Sequence, residues 1–342
     1  MTLPATREPR WQSWRRRALT IPAVVGLAVL AWALLPLWLP VMAVLDIARP
    51  QRALGTRLRL TAMVLTYLNC EVLGLVGAGS IWLWTLAGRL TGPAGYVAAH
   101  AVLQRWWTSL LFSAGRRLLG LRVQVQGGEL AQAGPFLLLV RHSSAADTLI
   151  AAAVVANPHK IVLRYVLKRE LMVDPCLDVV GQRLPNAFVL RGGRRSADEV
   201  AAVAGLARDL DAHSAVLIYP ESTRFSQEKR TLAIQALRAK GRDELADLAQ
   251  AMPAVLPPKT AGVLALMDAA PGTDVVFLDH AGLELEGGLA ALWRGELMGR
   301  TLRVRLRRIA AAEIPPTQRE LWLYQQWRAC DAFVRAQLQE AP

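Results

Sequence analysis

The sequence predicts a mixed α/β sheet domain flanked by helices and preceded by an apolar helical region. Three observations carry this. From about residue 121 onward, short apolar runs alternate with longer amphipathic stretches, the pattern of strands and helices packed in layers. Residues able to do chemistry follow directly after three of those runs, where open α/β sheets gather their ligands. Before residue 90 there are two long stretches almost free of charge, each long enough to cross a bilayer.

In chain order, residues 1–17 form a polar basic tail, and 18–90 form membrane helices or a helical hairpin. Ala18 to Leu45 carries no charged side chain, and Leu60 to Gly88 carries only Glu71. Pro36 and Pro40 fall inside the first run and are expected to kink or break it. Residues 91–120, entered through Gly92 and Pro93, read as an interfacial amphipathic helix bearing Trp106 and Trp107. The domain 121–342 follows. Strands are expected near 121–126, 136–140, 161–167, 187–191, 215–219, 274–279 and 301–308. Helices are expected near 147–156, 196–211, 228–250, 260–270 and 316–338. In the last strand Leu302, Val304 and Leu306 alternate with Arg303, Arg305 and Arg307, which reads as an edge strand with one basic face.

The formal net charge is +13, almost all of it from Arg. Such a chain meets nucleic acid, an anionic membrane or an acidic substrate. No zinc-finger spacing, RNP-like motif or heptad basic region is present, so nucleic acid is not the expected partner. The apolar runs point instead to membrane phospholipid. Arg15, Arg16 and Arg17, then Arg49, Arg52, Arg57 and Arg59, then Arg89, Arg105, Arg116 and Arg117 make every flank basic, so loop charge does not orient the helices. The three cysteines, Cys70, Cys176 and Cys330, are far apart and form no framework or metal spacing.

The chemistry concentrates in three places. Arg141-His-Ser-Ser-Ala-Ala-Asp-Thr148 follows the apolar run 136–140 and contains a His-x4-Asp pair, His142 and Asp147. A His whose tautomer is held by a carboxylate is equipped as a general base. Residues five apart on a regular helix point roughly 140° apart. For the two side chains to meet, His142 must precede the helix and Asp147 must lie in its first turn. Ala187-Phe-Val-Leu-Arg191 ends in an arginine. Ala215-Val-Leu-Ile-Tyr-Pro-Glu-Ser-Thr-Arg-Phe225 presents Glu221, Thr223 and Arg224 on a turn. Arginine forks suit phosphate.

Taken in order and spacing, His142-x4-Asp147, Phe188-Val-Leu-Arg191 and Tyr219-Pro-Glu-Ser-Thr-Arg224 resemble the blocks of the glycerolipid acyltransferases, the lysophosphatidic acid acyltransferase group. The likeness covers about residues 115 to 280. Val255-Leu-Pro-Pro-Lys-Thr-Ala-Gly262 is similar to a segment of the branch that holds lysophosphatidic acid and lysophosphatidylinositol acyltransferases. Two positions depart from the pattern: Arg141 stands where the family has Asn, and Ser222 where it has Gly.

The resemblance implies transfer of a fatty acyl group from acyl-CoA or acyl carrier protein to a hydroxyl of a lysophospholipid. The foremost acceptor is 1-acylglycerol-3-phosphate, with lysophosphatidylinositol or another lysophospholipid as the alternative. His142 would be the base and Asp147 its orienting partner. Arg191, Glu221, Thr223 and Arg224, with Lys259 beside them, would bind the acceptor's phosphate. No cofactor is implied, only the thioester co-substrate. The donor places the catalytic domain on the cytoplasmic side, and the Arg- and Ala-heavy composition points to a bacterial inner membrane rather than the endoplasmic reticulum.

Other classes fit less well. A serine hydrolase lacks the G-x-S-x-G elbow, and Ser226 is expected to cap a helix rather than to act through Ser-x-x-Lys. A metal-dependent hydrolase lacks a third ligand near His142 and Asp147. A non-catalytic membrane scaffold has no need of His142, Asp147, Glu221 and Arg224 together. His100, His213 and His280 have no partner evident in the sequence and are expected to be structural or exposed.

Overall fold

Phe136–Val140 lies inside a seven-stranded sheet because it is apolar at every position. In the computed structural model, which describes residues 8–48, 55–144, 146–190, 197–285 and 288–339, all of its side chains are fully buried. A strand covered on both faces needs no polar alternation. The strands are β1 (Arg122–Gln126), β2 (Phe136–Val140), β3 (Val162–Lys168), β4 (Ala187–Val189), β5 (Ser214–Ile218), β6 (Asp274–Ala281) and β7 (Thr301–Ile309). Their order is β1-β7-β6-β2-β5-β3-β4. β2 runs parallel to β5, with Phe136 beside Ala215, and parallel to β6, with Val140 beside Leu278. β7 is antiparallel to β6, so the sheet is mixed.

β7 corrects one expectation. It is not an edge strand but sits between β1 and β6. Its apolar face is buried as expected, through Leu302, Val304 and Leu306. On its basic face Arg305 and Arg307 both reach Asp279 of the neighbouring strand, at 2.7 and 3.0 Å. Arg308, which shares the parity of the apolar residues, reaches Asp274 at 2.8 Å. The antiparallel register sets Asp279 opposite Arg305, which makes these pairs local to the ladder.

The chain forms two compact units. One contains Met1–Arg122, Leu167–Gly193 and Leu285–Arg300; the other contains Val123–Val166, Arg194–Glu284 and Thr301–Pro342. In the first unit, α1 (Arg10–Ala33), α2 (Leu35–Ala48), α3 (Thr56–Trp84) and α4 (Gly92–Leu119) hold the apolar stretches. The first run is indeed interrupted, at Leu34, so that Pro36 falls in the first turn of α2, where a missing N–H costs no helical bond. α4 stops at Gly120, whose φ of 65° suits a left-handed cap.

α1 and α3 are long and apolar enough to cross a membrane, judged by length and composition. They expose large apolar side chains, among them Leu30 and Trp32 on α1 and Val76, Leu83 and Trp84 on α3. Apolar surface of this extent fits contact with lipid. Three buried polar side chains of this unit have partners inside it. Asp46 accepts the backbone N–H of Arg57 at 3.0 Å. Glu71 accepts the N–H of Cys176 at 3.2 Å. His100 is fully buried, its Nδ1 2.8 Å from the Tyr96 carbonyl and its Nε2 3.0 Å from Arg183. His100 therefore has partners that its sequence context did not reveal.

In the second unit the helices follow the expected order with two breaks. The stretch 147–156 is the helix Asp147–Ala151 continued by a π turn, Ala152–Ala156. The stretch 228–250 divides into Gln227–Arg238 and Asp243–Gln250, separated at Gly241, which adopts φ 66°. Ser226 caps the first of these, accepting the N–H of Lys229.

Candidate active site

The site is built on the carboxyl ends of β2, β5 and β6. β2 ends at Val140; Arg141 and His142 follow, and the chain turns into the helix that begins at Asp147. His142 thus precedes the helix and Asp147 opens it, the arrangement that lets side chains five apart meet. His142 Nδ1 lies 2.9 Å from Asp147 Oδ2. The same carboxylate oxygen accepts the N–H groups of Ser143 at 2.7 Å and Ser144 at 3.0 Å. Oδ1 accepts the Ser144 hydroxyl at 2.6 Å. The turn is therefore wound around Asp147, which is almost fully buried, while the His142 side chain keeps 16% of its surface open.

Asp147 lies below the ordinary carboxylate range. Burial alone would raise it; the nearby His280 and the hydrogen bonds from His142 and Ser144 outweigh that. It is therefore a carboxylate at neutral pH. An acceptor at Nδ1 fixes the proton there and leaves the Nε2 lone pair outward. Nε2 has no hydrogen-bond partner among the described residues. The ring rests against Tyr219, centroids 4.7 Å apart.

β5 ends at Ile218 and delivers the turn 219–225, in which the Ser222 N–H donates to the Tyr219 carbonyl at 2.9 Å. Ser222 adopts φ 59°, a left-handed conformation that glycine occupies at less cost. The turn is joined to its neighbours: Phe225 N–H donates to the His142 carbonyl at 3.3 Å, and Lys259 N–H donates to the Pro220 carbonyl at 2.8 Å. Sequence order thus converts into one surface formed by residues 142–144, 146–147, 219–225 and 259.

The candidate binding residues divide on this surface. Arg224 is exposed, and its guanidinium makes no hydrogen bond or ion pair with a described residue. Thr223 accepts from Lys229 Nζ at 3.3 Å, and the same ammonium donates to the Arg224 carbonyl at 3.1 Å. Lys259 is exposed beside them. Lys229 is a cation at the site that the sequence offered only as the lysine of Ser-x-x-Lys. Arg191 lies outside the described residues.

Glu221 departs from the expected contact with an acceptor. Its carboxyl is turned inward, 1% exposed, and its Oε2 accepts the His142 N–H at 3.2 Å. Burial pushes it up to about 8, against the lowering effect of Arg141 and of the His142 N–H. It supports the histidine's backbone from inside the domain.

Arg141 is also buried, at 1%. Its guanidinium contacts the Glu284 carboxylate, the His280 carbonyl at 2.7 Å and the Ala254 carbonyl at 3.3 Å. The departure from Asn is therefore matched by a carboxylate partner close by. His280 is fully buried, one of the two outcomes expected for it, and its Nε2 lies 3.6 Å from Asp147 Oδ1, a neighbour not evident in the sequence.

The arrangement suits a base taking a proton from a hydroxyl beside a cationic turn. Charge developing on an attacked carbonyl oxygen also needs donors. The N–H groups of His142, Ser143, Ser144 and Ser222 are already committed within the site. The N–H of Arg224 has no partner among the described residues.

Residues 122–270 match the Acyltransferase family model. The crystal structure of the 1-acyl-sn-glycerophosphate (LPA) acyltransferase PlsC from Thermotoga maritima is similar, with TM-score 0.51 at 14% identity, covering 82% of this chain and 97% of that one. At this identity the likeness is one of fold. No curated protein matches the chain by sequence.

Proposed function

We propose, for a chain whose residues 122–270 form an acyltransferase-family domain, that it moves a fatty acyl group from a thioester donor to a hydroxyl of a lysophospholipid, foremost 1-acylglycerol-3-phosphate, giving phosphatidic acid. The observation that carries this reading is the buried Asp147 carboxylate on His142 Nδ1, with Nε2 left open beside a cationic turn.

An alcohol is a weak nucleophile at neutral pH, so its proton must leave as it attacks. His142 Nε2 takes that proton while the oxygen bonds to the thioester carbonyl carbon. Asp147 holds the ring and stabilises the imidazolium that forms. The tetrahedral intermediate collapses by breaking the C–S bond, and His142 returns the proton to the departing thiolate. The products are an ester and a free thiol. No enzyme nucleophile is required, because the thioester is already activated. Base catalysis of this kind contributes roughly 10²–10⁴-fold.

Arg224, with Thr223, Lys259 and Arg191, is assigned to the acceptor's phosphate. A phosphate monoester, carrying up to two charges, gains more from such a cluster than a zwitterionic headgroup does. The apolar helices α1 and α3 support attachment to the membrane that supplies the acceptor. The donor, acyl-CoA or acyl carrier protein, puts the reaction on the cytoplasmic side, and we assign the chain to a bacterial inner membrane.

The test is transfer of labelled oleoyl from oleoyl-CoA, and from oleoyl acyl carrier protein, to a panel of lysophospholipids. Detergent-solubilised wild type and His142→Ala are run side by side. Transfer by wild type alone, fastest with lysophosphatidic acid, is the expected result. A faster lysophosphatidylinositol reaction reassigns the acceptor. No transfer from either donor by folded protein removes the enzymatic reading in favour of a membrane scaffold.

A further inference from the structure

The residue before His142 and a histidine on the neighbouring strand hold each other by reciprocal bonds. Arg141 Nη1 donates to the His280 carbonyl at 2.7 Å. His280 Nε2 lies 3.0 Å from the Arg141 carbonyl. Because that carbonyl only accepts, the ring proton sits on Nε2; Nδ1 has no partner among the described residues. Both side chains are sealed from solvent. The clasp joins the end of β2 to the end of β6, where Arg141 N–H already donates to the Leu278 carbonyl at 3.3 Å.

The same Nε2 lies 3.6 Å from Asp147 Oδ1. Asp147 has other donors, yet each belongs to its own turn: His142, Ser143 and Ser144. Those bonds fix the carboxylate relative to the turn and move with it. His280 alone, among the described residues, reaches Asp147 from a strand of the sheet. It therefore references the carboxylate, and through it the His142 ring, to the rigid part of the domain. His280 is also the largest of the influences that lower Asp147 against burial.

On the reading of this site as a histidine-based acyltransferase, we propose that His280 is a positioning residue, whose Nε2–H, held between the Arg141 carbonyl and Asp147, fixes the carboxylate that orients His142. It touches neither substrate nor reacting atoms and acts through Asp147.

The experiment uses the full chain in detergent, ¹⁵N-labelled at histidine, as wild type, His280→Leu and His280→Gln. Leucine removes the donor, whereas glutamine can return an N–H of similar reach without a ring. Three readouts are taken: oleoyl-transfer kinetics, the ring ¹⁵N shifts of His142 (assigned by their loss in His142→Ala), and thermal melting. The expected result for His280→Leu is a kcat lower by on the order of tenfold at unchanged acceptor KM, the pattern for a displaced catalytic group. The His142 ring should then pass from one tautomer to a mixture. His280→Gln should recover most of both.

A His280→Leu protein with wild-type kcat and wild-type His142 shifts overturns the proposal. So does equal loss in both variants that follows the fall in melting temperature, since that is a packing effect. If wild type itself transfers nothing, the acyltransferase reading fails, and the ring shifts alone decide whether His280 sets His142. If His280→Leu does not fold, His280→Asn, too short to reach Asp147, takes its place against His280→Gln.

Discussion

Glu221 holds the backbone N–H of His142 at 3.2 Å from inside the domain. Its carboxyl is buried and pushed up to about 8, chiefly by desolvation. At pH 7 it is therefore mostly neutral, and an amide should replace it well. Glu221→Gln is expected to keep near-wild-type transfer at pH 7, while Glu221→Ala, which leaves the His142 N–H without its acceptor, should cost about 1–3 kcal/mol of stability. A folded-state value raised above the unfolded one gives stability that is complete below the ordinary carboxylate range and is lost as pH rises through about 8. Wild type should thus lose melting temperature relative to Glu221→Gln as pH rises from the ordinary carboxylate range to about 8. Parallel melting across that range would sink this assignment.

Asp147→Asn should be nearly as damaging as loss of the histidine. Oδ2 accepts from His142 Nδ1 and from the Ser143 N–H alike, so the amide oxygen keeps that place and the amide nitrogen takes the place of Oδ1 beside the Ser144 hydroxyl. The ring keeps its tautomer but loses the negative charge that stabilises the imidazolium. kcat should fall by roughly 10²–10⁴-fold, the range that general-base catalysis contributes. Because the two residues act as a unit, adding His142→Ala should cost little more. Steady-state rates of the single and double variants check this; additive losses would mean the two act separately.

How far the site was legible depended on whether its geometry is local. β2 and β5 announced themselves because strands buried on both faces are unbroken apolar runs, and the His142–Asp147 contact followed from where the helix had to begin. His280 gave no such signal. A histidine near the end of an apolar strand becomes a site residue only when β6 is known to lie beside β2 in the register Val140 to Leu278. Glu221 was legible as a site residue and not as an inward one, since a turn sequence does not say which side chains face the core. The basic face of β7 was read correctly as a face, yet its partner Asp279 comes from a strand that sequence does not pair with it. The break at Gly241 was present in the sequence and passed over, because a continuous helical periodicity spanned it.

Arg224→Ala should act mainly on the acceptor. Its guanidinium is exposed and bound to no described residue, so its removal leaves no buried partner behind and the fold should be unaffected. Losing one charge-assisted contact to phosphate should cost about 1.5–3 kcal/mol, roughly 10–100-fold in the KM for lysophosphatidic acid. The KM for oleoyl-CoA should change little. Arg224→Lys, which keeps the charge but not the fork, should fall between. If the donor KM rises instead, the cationic turn serves the thioester and the acceptor binds elsewhere.

Ser222 tests whether the turn itself carries the geometry. At φ 59° it occupies a conformation open to glycine, tolerable for serine and hostile to a β-branched residue. Ser222→Gly should therefore change stability by less than about 1 kcal/mol, the gain in left-handed freedom being offset by a more flexible unfolded chain. Ser222→Val forces a strained backbone costing on the order of 1–3 kcal/mol, or it shifts the turn. A shifted turn carries Arg224 with it and disturbs the Phe225 N–H bond to the His142 carbonyl, so binding and catalysis should both suffer. The check is melting temperature together with kcat and acceptor KM. A Ser222→Val protein that melts and turns over like wild type would show that the turn does not need its left-handed residue, and that Arg224 is positioned by something else.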